Sequence, residues 1–362
     1  MMARNDLNWA ILGDTHFGCK NDDQRLLQHM EQFMARFIDE LVSRNIKTLI
    51  TLGDFFDRRK FVNFVTLDTA KRAFFEPLKA AGIRVHMIVG NHDVYYRNTN
   101  RINSVSLLVN EGQYPNVTIY TDPTTVNIDG LDVLMLPWVN AENYAASVEA
   151  VNTTPAQIVV SHLELAGFEY FKGMPAEHGQ LDLDSLLRFD QVWCGHFHTK
   201  SSKGNIHYLG TPYEMNWSDW NDPKGWHIFD GTNLEFIRNE RTYYTRLFYD
   251  DTDSQRIEKA IKKPASLKDH WVKITIKRKG HPILFERFLD WVSESQPADI
   301  NVIDETNAIR ELVDAKITAP LGTLDMVKTF IDDELETGLD KSKIYDKIRR
   351  LYVAAKETAE DE

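Results

Sequence analysis

The sequence predicts an α/β sandwich, and two observations carry that prediction. Up to Gly90, short apolar runs alternate with segments of helical period, and each run ends in a cluster of polar residues. After Val94 the texture changes to shorter strands and turns, several of which also end on imidazoles. A sheet system assembled from both halves, with helices outside, accounts for this pattern.

Taken in order, Leu7–Leu12 reads as a short buried strand that delivers Asp14 and His16 at its C-terminal end. Asp22 to Ser43 follows as a helix, because Leu26, Leu27, Met30, Phe33, Met34, Phe37, Ile38, Leu41 and Val42 recur at the spacing of one helical face. Ile46–Leu52 is the next strand and ends at Gly53-Asp54. Val65 to Ala81 is a second helix, and Ile83–Val89 a third strand ending at Gly90-Asn91-His92. Open α/β sheets bind ligands at that C-terminal strand edge. Val117–Tyr120, Leu131–Leu136 and Ile158–Ser161 read as strands, the last ending at His162, and Gln191–Cys194 delivers Gly195-His196-Phe197-His198. Asn205 to Tyr249 reads as β-hairpins, with turn signals at Asp222-Pro223 and Asp230-Gly231.

A second unit begins near Asp251. Trp271–Lys277 alternates Val272, Ile274 and Ile276 with Lys273, Thr275 and Lys277, a half-buried strand with a basic outer face. Phe285–Ser293 reads as a helix. Beyond Pro320 two more helices are expected: one capped by Thr323 and carrying Leu324, Val327, Phe330, Ile331 and Leu335, the other capped by Asp340 with Ile344, Ile348, Leu351 and Tyr352 on one face. The expected domains are therefore 1–250, 251–318 and 319–362.

Composition narrows the class. With 43% apolar and 27% charged residues, the chain is an ordinary globular protein. No run of eighteen apolar residues and no signal-peptide core are present, so no membrane partner is expected. Cys19 and Cys194 make no disulfide framework and sit in no metal spacing, which points to a reducing cytoplasm. The net charge of −12 runs against the basic balance usual for nucleic-acid binders. Part of it belongs to candidate metal ligands, and the charge is uneven: Arg256 to Lys279 holds nine Lys or Arg against Glu258 and Asp269. That stretch reads either as a phosphate-tracking surface or as a solvated face.

Six motifs carry the chemistry: Asp14-Thr15-His16, Gly53-Asp54-Phe55-Phe56-Asp57-Arg58, Gly90-Asn91-His92-Asp93, His162, Gly195-His196-Phe197-His198 and Gly210-Thr211-Pro212. Each alone is weak. An isolated Asp-x-His is commonly accidental, and a lone histidine is more often a core residue. Together and in order they supply the carboxylates, imidazoles and amide oxygen that two divalent cations require, and a two-metal site implies phosphoester chemistry. Asp54, at the abrupt end of its strand, is the natural bridge. Asp14 and His16 project the same way and suit one metal. Asn91 offers a neutral oxygen, and His196 and His198 could reach different metals.

These motifs resemble the calcineurin-like metallophosphoesterase superfamily. The likeness covers Asn8 to Gly225. In their particular forms, with the long first helix and helical tail, they are similar to SbcD-type nucleases of double-strand-break repair complexes, in particular the phage-encoded recombination endonuclease subunits. The resemblance implies a four-layer α/β/β/α sandwich, a small α+β capping domain that contacts DNA, and a C-terminal helical pair that docks on an SMC-like (SbcC-type) ATPase. It implies one metal on Asp14, His16, Asp54 and His198, and a second on Asp54, Asn91, His162 and His196. The ions would be Mn2+ foremost, with Mg2+ as the alternative.

His92 would act on the leaving 3′ oxygen, with Asp93 as its orienting carboxylate. Asp57 would support the ligands, and Arg58 would touch phosphate or form a structural salt bridge. The implied activity is hydrolysis of phosphodiesters by a hydroxide between the metals: 3′–5′ exonuclease action on duplex DNA and endonuclease action on single strands. A homodimer within a heterotetramer is implied, in the cytoplasm of the host if the chain is phage-encoded. Tyr95, Tyr96, Arg97 and Arg101 follow the third motif and read as base-stacking or phosphate contacts, or as packing. Trp217 and Trp220 read as structural.

The competing reading is another metallophosphoesterase, either a protein phosphatase or a nucleotide or cyclic phosphodiesterase. Protein phosphatases carry Gly-Asp-x-x-Asp-Arg-Gly and Gly-Asn-His-Glu. Arg59 and Asp93 stand here in place of that last Gly and Glu. A degenerate, non-catalytic scaffold is disfavoured by the intact ligand set.

Overall fold

The computed structural model describes residues 7–109, 112–171, 174–264, 266–305, 328, 331 and 341–349. The chain divides into two compact units, Met1–Tyr244 and Thr245–Glu362.

The first unit is built on two six-stranded sheets. One runs in the order Leu234–Arg238, Gly225–Phe229, Trp9–Leu12, Thr48–Thr51, Arg84–Ile88, Val117–Tyr120. The other runs Ser201–Lys203, Ile206–Tyr208, Gln191–Gly195, Ile158–His162, Leu131–Leu136, Thr124–Ile128. The central strands of each are parallel, as in Leu12 opposite Thr51 and Gly195 opposite His162. Their C-terminal ends, and the loops that follow, therefore gather on one edge of each sheet.

Period-two alternation then sorts the side chains. Val133, Met135 and Val160 join Trp9, Ile11, Ile50, Trp193 and Phe229 in a core between the sheets. Leu134, Leu136, Val159 and Val192 point the other way, into a cluster with Val151 of the helix Tyr144–Thr153 and Leu186 of the helical turn Leu183–Leu186. Burial on both faces is why these strands read as continuous apolar runs. On the outer face of the first sheet lies the helix Gln24–Ser43, whose Phe37 ring meets Trp226 edge-on at 5.0 Å. The result is the four-layer α/β/β/α arrangement.

The long helix runs from Gln24 to Ser43, starting two residues after the expected Asp22. The Asp23 carboxylate accepts from the amides of Arg25 and Leu26 at 2.9 and 3.0 Å and fixes the first turn. The second expected helix is not uniform: Phe64–Ala70 and Glu76–Ala80 are α-helical, but Lys71–Phe75 between them widens to a π-helical turn. Pro77 explains the difference, since it has no amide to return to the carbonyl of Ala73 and its ring crowds that turn.

In the second unit the strands Tyr244–Asp250, Trp271–Arg278 and Asp299–Asp304 form one sheet, with Trp271 parallel and opposite Asp299. Val272, Ile274 and Ile276 are buried with Ile257, Leu284, Phe285, Phe288 and Val292 from the helices Ser254–Ile261 and Pro282–Glu294. The first of these helices and the last strand are additions to the expected elements. Residues 341–349 are helical. Apart from Lys328 and the buried Ile331, the remainder of the expected helical pair, including Thr323, Leu351 and Tyr352, lies outside the described residues. Among the described residues, no helix is long and apolar enough to cross a membrane.

Candidate metal centre

All six motif segments belong to the first unit, and backbone contacts bring their loops together. The amides of Thr15 and His16 donate to the carbonyl of Asp54 at 3.2 and 3.0 Å, and Phe17 donates to Phe55 at 2.9 Å. The backbone of His16, Asp54 and His196 is left-handed, with φ of 45°, 48° and 84°. Non-glycine residues adopt that region at a cost, and such residues cluster where side chains must be aimed. Two glycines permit the convergence. A Cβ on Gly90 would stand 2.2 Å from Oδ1 of Asp54, and one on Gly195 would stand 2.5 Å from Oδ1 of Asp14.

Two adjoining clusters hold six of the candidate ligands. Asp14, His16 and His198 form one, and Asp54, His162 and His196 the other; within each, the donor atoms lie within 4.8 Å of one another. A third group of His16, Asp57 and His92 shares His16 with the first. Oδ2 of Asp54 stands between the clusters, 3.7 Å from Nε2 of His16 and 3.3 Å from Nε2 of His162. The Asn91 amide oxygen is 2.8 Å from both Nε2 of His162 and Nδ1 of His196. The Nε2 atoms of His16 and His198 approach to 3.1 Å. All seven candidate ligands are thus brought together.

Each ligand is held from behind. Nδ1 of His162 is paired with the Leu52 carbonyl at 2.7 Å, which leaves Nε2 for the cluster. The Asp14 carboxylate accepts from the His196 amide at 2.8 Å, and Asp54 from the His92 amide at 2.7 Å. The His198 carbonyl accepts from the buried Lys224 ammonium at 2.9 Å, and that ammonium also pairs with Asp219 and Asp222 at 2.7 and 2.8 Å. Sequence reasoning passed over Lys224, which lies in a turn with no motif of its own.

The electrostatics are those of charges enclosed together. Burial, reinforced by Asp54, pushes the Asp14 carboxyl up to about 7. Burial opposes ionisation of Asp54 too, yet His162 and His92 outweigh it and hold the group well below the usual carboxylate range. His16 and His162 rise to about 9; burial works against their protonation, but Asp57 and Asp54 for His16, and Asp54 for His162, prevail. Burial, with His16 and Lys224 adding to it, keeps His198 well below the usual imidazole range.

Do these residues fit a metal pair? Oδ1 of Asp14 is buried without a hydrogen-bond partner, and two imidazole nitrogens meet where at most one proton fits between them. Divalent cations would satisfy both, and carboxylates, imidazoles and an amide oxygen are donors that such cations take. Cys19 and Cys194 are buried but join neither cluster.

The remaining expected residues fall into place around this core. Nδ1 of His92 is paired with the backbone carbonyl of Asp57 at 2.5 Å, and its ring packs edge-on to His16 at 4.8 Å. The Asp57 carboxylate lies 3.1 Å from Nδ1 of His16. Asp93, expected beside the His92 imidazole, faces inward instead: its carboxylate accepts from the amides of Phe55, Phe56 and Gly90 at 3.0, 3.2 and 3.0 Å. Three amides outcompete one imidazole for a buried carboxylate, and the partner of His92 is the Asp57 carbonyl. Arg58 pairs with Asp22 at 3.4 Å and with Asn21 at 2.5 Å, the salt-bridge alternative. Trp138 and Glu164 were missed: the Trp138 ring is 5.3 Å from that of His196, and a Glu164 oxygen is 3.9 Å from Nε2 of His196. Glu164 follows His162 by two residues, the same spacing that pairs Asp14 with His16.

The chain is similar to known proteins. Exonuclease subunit 1 of Enterobacteria phage T4 is 40% identical over 240 residues, covering 66% of this chain and 69% of that protein. A distant backbone likeness links it to GAP50, the anchor in the inner membrane complex of Plasmodium, at 14% identity and a TM-score of 0.38 over 61% of this chain and 80% of that one. The model of the calcineurin-like phosphoesterase family matches residues 7–200, a span that takes in all seven clustered ligands. With its sandwich fold and its paired carboxylate–imidazole clusters at the strand ends, the chain belongs to the calcineurin-like phosphoesterases.

Proposed function

We propose that this phosphoesterase is a DNA nuclease subunit, with 3′–5′ exonuclease action on duplex ends and endonuclease action on single strands. The observation that carries the reading is the Asp54 carboxylate standing between two ligand clusters drawn from separate loops. The name of the phage T4 relative, an exonuclease subunit, supplies the substrate class. Asp14, His16, Asp54 and His198 would hold one cation, and Asp54, Asn91, His162 and His196 the other, with Mn2+ the preferred ion. When bound, such a pair neutralises phosphoryl oxygens and acidifies water.

The chain's own contribution is orientation and proton transfer. The left-handed residues His16, Asp54 and His196 contribute one ligand to the first cluster and two to the second. His92 donates its Nδ1–H to the Asp57 carbonyl, so as the doubly protonated imidazolium it would carry a second proton on Nε2 to give to the departing 3′ oxygen. Asp93 acts one step back, tying the loop of Asp54 to the loop of Asn91 and His92 through three amides.

The same reading makes the chain one component of an assembly with an SMC-like ATPase, two copies of each. Its support is the relative's designation as a subunit. Residues 251–318 would cap the DNA, where the excess of Lys and Arg between Arg256 and Lys279 suits phosphate contact, and 319–362 would dock on the ATPase.

The test is cleavage of end-labelled duplex and single-stranded DNA with Mn2+ against Mg2+, beside an Asp14→Ala control. Product ladders with Mn2+ that vanish in the control are expected. Hydrolysis of a small phosphodiester with no DNA cleavage would overturn the reading in favour of a nucleotide-type hydrolase.

A further inference from the structure

We propose that Trp138 is a nucleobase platform at the edge of the metal centre, which stacks on the nucleoside across the scissile phosphate from the leaving group. The inference rests on the nuclease reading above and adds a base-recognition subsite to it.

Placement comes first. The half-buried Trp138 ring is tilted 46° to His196 at 5.3 Å and stands edge-on to His162 at 5.9 Å, both in the Asp54 cluster. His92, assigned to the leaving oxygen, packs on His16 of the other cluster. The indole and the proton donor therefore adjoin different halves of the centre, where the two sides of a bridging phosphodiester would extend.

Rigidity comes next. The Trp138 amide donates to the Val89 carbonyl at 2.8 Å, and its carbonyl accepts from the side chains of Asn100 and Asn143 at 2.9 and 3.0 Å. Asn140 ties this set together, its side-chain amide donating to Asn100 at 2.9 Å and its backbone amide to Asn143 at 2.8 Å. Three asparagines thus fix the backbone of one tryptophan. A large aromatic left partly in water among imidazoles, on an immobilised backbone, presents a π face at small ordering cost. Every base has a face to stack on it, so the subsite would be sequence-tolerant.

The experiment uses the full-length protein with Mn2+ and two single-stranded oligonucleotides, one of natural sequence and one with an abasic residue at the nucleoside across the scissile phosphate. Stacking should give wild type a preference for the base-bearing substrate of about 5- to 150-fold in KM. Trp138→Ala and the bulk-preserving Trp138→Leu should both collapse that preference, and Trp138→Phe should keep most of it. Mn2+ binding isotherms, recorded on the same variants, should match wild type within about twofold. If wild type cleaves both oligonucleotides equally, or if the variants lose both substrates in parallel with weakened Mn2+ binding, the indole only packs the ligands and the proposal falls. If wild type cleaves no oligonucleotide at all, the nuclease reading itself fails.

Discussion

The carboxylate of Asp57 stands 3.1 Å from Nδ1 of His16, on the side of the ring opposite the nitrogen that meets His198. This pair fixes which imidazole nitrogen is offered to a cation. Removing the carboxylate frees the ring to turn, and losses of this kind lower metal affinity by about 10- to 100-fold. Asp57→Ala should therefore weaken one of two Mn2+ binding events in calorimetric titration by that factor and leave the other. Two unchanged isotherms would remove Asp57 from the centre.

Metal removal should cost stability. Asp14 and Asp54 are buried together, and a cation that binds only the folded chain stabilises it by mass action, by about 2.7 kcal/mol at a hundredfold excess over Kd. Thermal unfolding with saturating Mn2+ should lie several degrees above unfolding in EDTA. The difference should shrink in His198→Ala. Coincident transitions would mean the clusters bind nothing.

For His92 the expected signature is separation of turnover from binding. His92→Ala should fold, bind Mn2+ as wild type does, and lose about 10²- to 10⁴-fold in turnover, the usual range for general acid–base catalysis. A substrate whose leaving group needs no proton, such as a p-nitrophenyl diester, should be spared most of that loss. Equal loss on both substrates would reassign the residue.

Acid sensitivity should have a component outside the candidate ligands. Burial, with Lys200 and His207 adding to it, depresses the His227 imidazole from 6.5 to about 3. Below pH 6.5 the unfolded chain takes up this proton and the folded chain does not, so folded stability falls as pH drops from 6.5 towards 3. His227→Gln should flatten the dependence of unfolding free energy on pH across that window, by up to about 1.4 kcal/mol per pH unit. Identical slopes in urea denaturation would show that His227 titrates normally.

How much of this was legible in the sequence divides along a physical line. Strands such as Leu131–Leu136 and Val117–Tyr120 were readable to the residue, because burial on one or both faces writes itself into apolar patterning. The ligand set was readable because each donor follows such a strand directly. Supporting contacts were not. Asp93 sits next to His92 in sequence, yet its carboxylate is drawn to amides on two loops, and no linear spacing encodes that competition. Lys224 reaches the His198 carbonyl from 26 residues away, and Trp138 reaches His196 from a loop with no polar motif. The π-helical turn before Pro77 was hidden because periodicity continues through it.

The crowding of Gly90 against Asp54 has one more result. A methyl group at position 90 would meet both the carboxylate and the backbone nitrogen of Asp54, so any side chain there must displace the loop that carries the candidate bridging ligand. Alanine in place of Gly90, a change of one methyl group, would move that loop without altering a single donor atom. What position 90 excludes is bulk, whatever its chemistry.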